Sequence, residues 1–170
     1  MITHVMRDAE QPIALAHLYM KRDVKPTSVR SSERYQQEIY EHDLICLMLN
    51  ERLSKQQSGA KAPFTAASVK DGKFLIVQTK KAFSLSVSCK RDQIEAGLSA
   101  AVGLLEQARQ WGFTTGELTR AKAILRNKAE RCNNQREQLA NHHYVKQCLD
   151  HYLYGEPILS TAEELHVRHK

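Results

Sequence analysis

The sequence predicts an α+β domain: an antiparallel sheet with helices packed on one face. Three observations lead there. Period-two alternation marks an early and a middle stretch, at 12–22 and 83–90. Apolar residues at three- and four-residue steps mark long stretches between and after them. Strands and helices are segregated along the chain and do not alternate one for one, which argues against a parallel βαβ sheet.

The elements follow in order. Residues 2–7 are expected to form a short strand. Residues 12–22 place Ile13, Leu15, His17 and Tyr19 on one face and Ala14, Ala16, Leu18 and Met20 on the other. Both faces are mostly apolar, which predicts a central strand covered on both sides. Asp23 to Ser32 is polar, holds Pro26 and reads as a connection. From about Ser32 a helix begins, carrying Tyr35, Ile39, His42, Cys46, Leu49 and Leu53 on its apolar face and ending near Gln56-Gln57-Ser58-Gly59.

Phe64–Val69 reads as a strand closed by the turn signal Asp71-Gly72. Lys73–Thr79 is expected to be extended too. Phe83, Leu85, Val87 and Cys89 alternate with Ser84, Ser86, Ser88 and Lys90, a strand with one wet face. Asp92 and Glu95 are spaced as a capping box before the stripe Ile94, Leu98, Ala101, Val102, Leu105, Ala108 and Trp111, which Gly112 stops. Thr114 and Glu117 form a second box before Leu118, Ala121, Leu125, Ala129 and Cys132, a helix expected to run to about Tyr154 and end at Gly155-Glu156-Pro157. Ser160 with Glu163 opens a last helix. The 170 residues read as one domain without an internal repeat.

Composition narrows the function. The chain has 25 Lys and Arg against 19 Asp and Glu, for a formal charge of +6, which raises nucleic acid as a partner. The basic residues are dispersed, and no strand interleaves aromatic and basic residues, so no nucleic-acid partner is assigned. No apolar run approaches the ~20 residues of a membrane span. No signal peptide is visible at Met1–Arg7. Cys46, Cys89, Cys132 and Cys148 fit no zinc or redox spacing and read as unpaired core thiols, with disulfides as the alternative if the protein is exported.

Eight histidines prompt a search for metal ligands. His142-His143, Cys148 and His151 lie on the second half of the long predicted helix, but only Cys148 and His151 share a face. His166-x-x-His169 lacks a third ligand. Glu38-Ile39-Tyr40-Glu41-His42 differs from the inverted zinc motif H-x-x-E-H at its first position, which is Glu38. It reads as a charged helix face. No nucleophile elbow, phosphate loop or dinucleotide fingerprint is present. On the residues alone this is an α+β domain without a named activity.

Several phrases carry a resemblance. Leu49-Asn50-Glu51-Arg52-Leu53 ends the first long helix, and Pro63-Phe64-Thr65-Ala66-Ala67 opens the next strand. The most specific phrase is Trp111-Gly112-Phe113-Thr114-Thr115-Gly116-Glu117-Leu118-Thr119-Arg120-Ala121-Lys122, followed later by Tyr154-Gly155-Glu156-Pro157-Ile158. Over nearly its whole length the chain resembles a half-unit of the pitrilysin/insulinase zinc metallopeptidases, relatives of mitochondrial processing peptidase.

The resemblance implies homologous α+β units that enclose a chamber for unfolded peptides. One unit carries zinc on H-x-x-E-H and a downstream Glu. This sequence has no H-x-x-E-H, so the resemblance implies a non-catalytic unit, inactive alone and lacking a closing strand and helix at its C-terminus. Zinc is then expected in a catalytic unit of the same polypeptide. The partners implied are that unit and unfolded peptide substrate. The Arg and Tyr that clamp peptide in such enzymes have no counterpart: Ser58 and Phe64 stand near their places. No residue is therefore assigned a catalytic or metal role, and substrate-binding residues stay unassigned. A stand-alone binding or assembly subunit on the same fold is the alternative, with a basic nucleic-acid-binding domain as a third reading. Location is open between periplasm and cytoplasm, a choice a segment preceding Met1 would make.

Overall fold

The computed structural model describes residues 2–6, 8, 10–59 and 61–169, the last without its side chain. Among the described residues, three strands and six α-helices make an α+β fold with a three-stranded antiparallel sheet. The order is β1 (Ile13–Asp23), α1 (Thr27–Arg30), α2 (Glu33–Gln57), β2 (Ala66–Lys73), β3 (Lys80–Lys90), α3 (Ile94–Trp111), α4 (Thr115–Asn134), α5 (Asn141–Tyr154) and α6 (Thr161–His169). In the sheet the strands lie β1-β3-β2. The predicted fold class holds.

The residues fall into two compact units, and β1, α2, β2 and β3 each contribute to both. The first comprises 1–19, 49–70 and 84–112. Its core holds Leu49, Leu53, Phe64, Val69, Leu85, Val87, Cys89 and Ala101. Gly97 of α3 sits against β3 so closely that a Cβ there would lie 2.2 Å from Cys89 Sγ and 2.8 Å from the Pro63 carbonyl oxygen. Asn50 closes the same core. Its Nδ2 donates to the Val69 carbonyl at 2.9 Å and its Oδ1 accepts from the Val69 N–H at 2.8 Å.

The second unit comprises 20–48, 71–83 and 113–170. Tyr40, Leu44 and Met48 of α2 pack on Ala121 and Leu125 of α4 and on Phe113. Here the punctuation behaves as its chemistry predicts. Thr114 Oγ1 accepts from the Glu117 N–H while the Glu117 carboxylate accepts from the Thr114 N–H, a complete capping box. Ser160 and Glu163 repeat it at α6. Gly155 ends α5 at φ 63°, where a Cβ would meet Thr27 Cγ2 at 2.5 Å.

Several expectations fail. Residues 2–6 form no strand, and Arg7 lies outside the described residues. β1 is an edge strand, not a central one: none of its residues is buried, and Leu15 is 54% exposed. Asp71-Gly72 lies within β2, because Asp71 is held there by ionic partners. The chain reverses instead around Phe74–Val77, where the Val77 N–H donates to the Phe74 carbonyl at 3.0 Å, so Lys73–Thr79 is not a continuous strand.

Asp92 does not cap α3. The turn in which the Gln93 N–H donates to the Lys90 carbonyl makes Gln93 the cap residue, and it bonds through no side chain. The long helix to Tyr154 is two helices, α4 and α5, separated by a 3-10 turn at Arg136–Gln138. α4 ends at Asn133-Asn134, residues whose side chains compete with the helix backbone for hydrogen bonds. The cysteines are unpaired; Cys89 is buried, Cys46 and Cys132 are half-buried, and Cys148 is exposed, so it is no core thiol.

Candidate functional site

Within the second unit, β1, α2 and β2 bring three polar side chains together. Arg22 lies on the half-buried face of β1, one residue before the strand ends. A guanidinium held there needs a counter-charge. Asp71 supplies it from β2: Arg22 Nη1 donates to Oδ1 at 2.6 Å and Nη2 to Oδ2 at 2.5 Å, a bidentate fork. His42 of α2 completes the clasp, with Nδ1 2.6 Å from Asp71 Oδ2.

Burial works against the Asp71 charge, but the hydrogen bonds and charges of Arg22 and His42 outweigh it and hold the carboxyl below its usual range. The same contact with Asp71 raises Arg22. Cys46, one turn beyond His42, is pushed by burial up to about 11, with the Asp71 charge adding to it. A thiol so protonated at neutral pH is a poor nucleophile.

The zinc-motif look-alike lies on this helix. An Asp71 carboxylate on Nδ1 orients the His42 ring and would leave Nε2 available, as zinc-bound histidines require. The remaining donors do not fit. Glu38 is ion-paired to Lys25, which lowers its pKa. Among the described residues no three His, Cys, Asp or Glu side chains converge. The donor set of α2 therefore does not suit zinc, which takes three or four ligands.

The histidines of α5 are dispersed. His143 stacks edge-on with Tyr144, His151 Nδ1 lies 2.8 Å from the Glu156 carbonyl oxygen, and Cys148 faces outward. The side chain of His169 lies outside the described residues. Ser58 is exposed, and Phe64 is a core residue of the first unit, 3% exposed.

A second feature is the edge of β1 in the first unit. Residues 13–19 (IALAHLY) carry no acidic or basic side chain other than His17. Among the described residues β1 pairs only with β3. β2, at the other edge, carries Lys70 and Lys73, and lysine is a residue with which proteins discourage edge pairing. The outward face of β1 exposes Ile13, Leu15 and Tyr19, while His17 Nδ1 lies 2.9 Å from Ser86 Oγ.

Arg22 and Asp71 could not be found by motif: Arg22 sits between Lys21 and Asp23 at the polar end of β1, and nothing in the sequence marks it as having a buried partner. No family model matches the chain, and no curated protein matches it by sequence. Solved structures do. The first half of the periplasmic protease PqqL from Escherichia coli superposes at TM-score 0.77 and 20% identity, over 92% of this chain and 32% of that one. The PqqL structure itself gives 0.76 at 20% identity, over 92% of this chain and 17% of that one. A predicted insulinase family protease from Yersinia pestis gives 0.76 at 9% identity, over 95% of this chain and 34% of that one. At these identities the likeness establishes an insulinase-type fold. The chain spans about a third of the first-half PqqL structure.

Proposed function

We propose that this chain is a non-catalytic unit of a zinc peptidase of the insulinase and mitochondrial processing peptidase type. It encloses peptide substrate beside a catalytic unit and hydrolyses nothing alone. The observation that carries this reading is the donor set of the helix that resembles the zinc motif: Glu38 is ion-paired to Lys25, and among the described residues no three His, Cys, Asp or Glu side chains converge with His42. The fold likeness supports a protease parent. The uncharged β1 edge supports peptide contact, since a free edge accepts extended backbone with little sequence preference.

The test is the coding sequence around the chain and a reconstitution. H-x-x-E-H should be encoded in the same reading frame, and the unit carrying it should cleave unfolded peptide faster when this chain is added. An isolated short reading frame, with the zinc motif in a neighbouring gene or absent, would favour the stand-alone subunit.

A further inference from the structure

The second unit holds a cavity of about 210 Å³ between α2 and α6, with Ile39, Leu159 and Val167 as its apolar walls. That is below the roughly 300–1,000 Å³ of a small-molecule or cofactor site and suits a single side chain. A further cavity of about 280 Å³ shares Gln36, Leu159 and Glu164 with it.

The polar groups of the first cavity are unevenly matched. The Tyr40 ring packs among Leu44, Met48 and Ala121 and is 9% exposed, yet its hydroxyl has no hydrogen-bond partner among the described residues. A hydroxyl sealed in a core without a partner is costly. This one is not sealed: it opens on the cavity that Tyr40 lines. Asp43, three residues on and on the same helix face, stands exposed at the rim and makes no hydrogen bond or ion pair among the described residues. Arg168 and Lys128 act on its charge only from beyond ion-pair reach. Gln36 Nε2 donates to the Arg30 carbonyl at 3.0 Å, which leaves its Oε1 as an acceptor. The cation in the wall, Arg168, faces Glu164 at 3.5 Å. The cavity therefore sets two carboxylates, Asp43 and Glu164, against one guanidinium, and its free groups are mostly acceptors.

We propose that this cavity is a subsite for a basic side chain, lysine or arginine, of a bound peptide. The alkyl stem lies on Ile39, Leu159 and Val167, and the cationic head donates to Asp43, Tyr40 and Gln36. The neighbouring cavity gives room for flanking residues. An anionic ligand would meet Asp43 and find a hydroxyl as its one free donor. The subsite needs nothing from a catalytic unit, so its test stands apart from the proposed function.

Calorimetric titration of this chain alone tests it. The probes are a capped alanine-lysine-alanine peptide, the same peptide with norleucine, which lacks only the ammonium group, and butylamine. The lysine peptide should bind roughly tenfold or more tighter than the norleucine peptide, and tighter than butylamine. Asp43→Asn should weaken lysine-peptide binding roughly tenfold and Tyr40→Phe roughly threefold, each with a melting temperature within ~2 °C of wild type. Equal binding of the lysine and norleucine peptides, no binding by the wild type, or an unchanged affinity in Asp43→Asn would overturn the subsite. Butylamine bound as tightly as the lysine peptide would overturn the peptide as its occupant.

Discussion

His42 Nδ1 lies 2.6 Å from Asp71 Oδ2, at the point where Asp71 also receives Arg22. The contact ties α2 to β2 and β1 within one unit. Charge is present at this helix, but its geometry serves cohesion.

The clasp should be measurable as stability. Asp71→Asn keeps the shape and removes the charge. Because Arg22 is 39% exposed, solvent offsets part of the loss, and about 1–2 kcal/mol is expected. Urea denaturation should show a lower midpoint at unchanged slope.

The pH dependence has a fixed sign. Asp71 has a lowered pKa in the fold, so its contribution is complete above the ordinary aspartate value near 3.9. It is lost as pH falls through the lowered folded value. The gap between wild type and Asp71→Asn should close as pH falls below about 4. A gap that widens below about pH 4 would contradict the assignment.

Asn50 serves one buried strand residue with both halves of its amide. Asn50→Asp removes the donor and sets a carboxylate against the Val69 carbonyl. A loss of about 2–3 kcal/mol is expected, and Asn50→Ala should approach it. Thermal unfolding of both variants decides this.

Gly97 should not tolerate a methyl group. Gly97→Ala forces a Cβ toward Cys89 Sγ and the Pro63 carbonyl, at about 1–3 kcal/mol of destabilisation. Cys89→Ala in the same chain should recover part of this and not all, because the carbonyl stays. Additive losses in the double-mutant cycle would contradict the contact.

Thiol chemistry should separate the cysteines. Cys148 is exposed, whereas Cys46 is pushed up to about 11 and Cys89 is buried. At pH 7.5 an aromatic disulfide reagent should label Cys148 fastest, with Cys46 and Cys89 reacting on unfolding. Mass spectrometry of the partly labelled chain reads the order.

Local chemistry was legible in the sequence where the structure is local. Thr114 with Glu117, Ser160 with Glu163, and the stops at Gly112 and Gly155 all act within a turn of the residues that announce them. The alternation of β3 held from Leu85 to Cys89, where Leu85, Val87 and Cys89 are buried, but not at its start, where Ala82 is buried and Phe83 is half-buried. What was not legible depends on distant partners. Asp71 reads as a turn residue until Arg22 and His42 are placed beside it. β1 reads as central because its outward face is apolar, which follows if that face serves something other than the sheet. The chain reversal fell on Leu75-Ile76, residues that carry no turn signal at all.

The central claim is that this chain holds no hydrolytic metal centre. Zinc content and peptide cleavage, measured together on the purified 170-residue chain, test it most directly. The expected result is well under one zinc per chain and no cleavage of an unfolded peptide, with or without added zinc. One zinc per chain, removed by chelator together with a peptidase activity that His42→Ala abolishes, would contradict it.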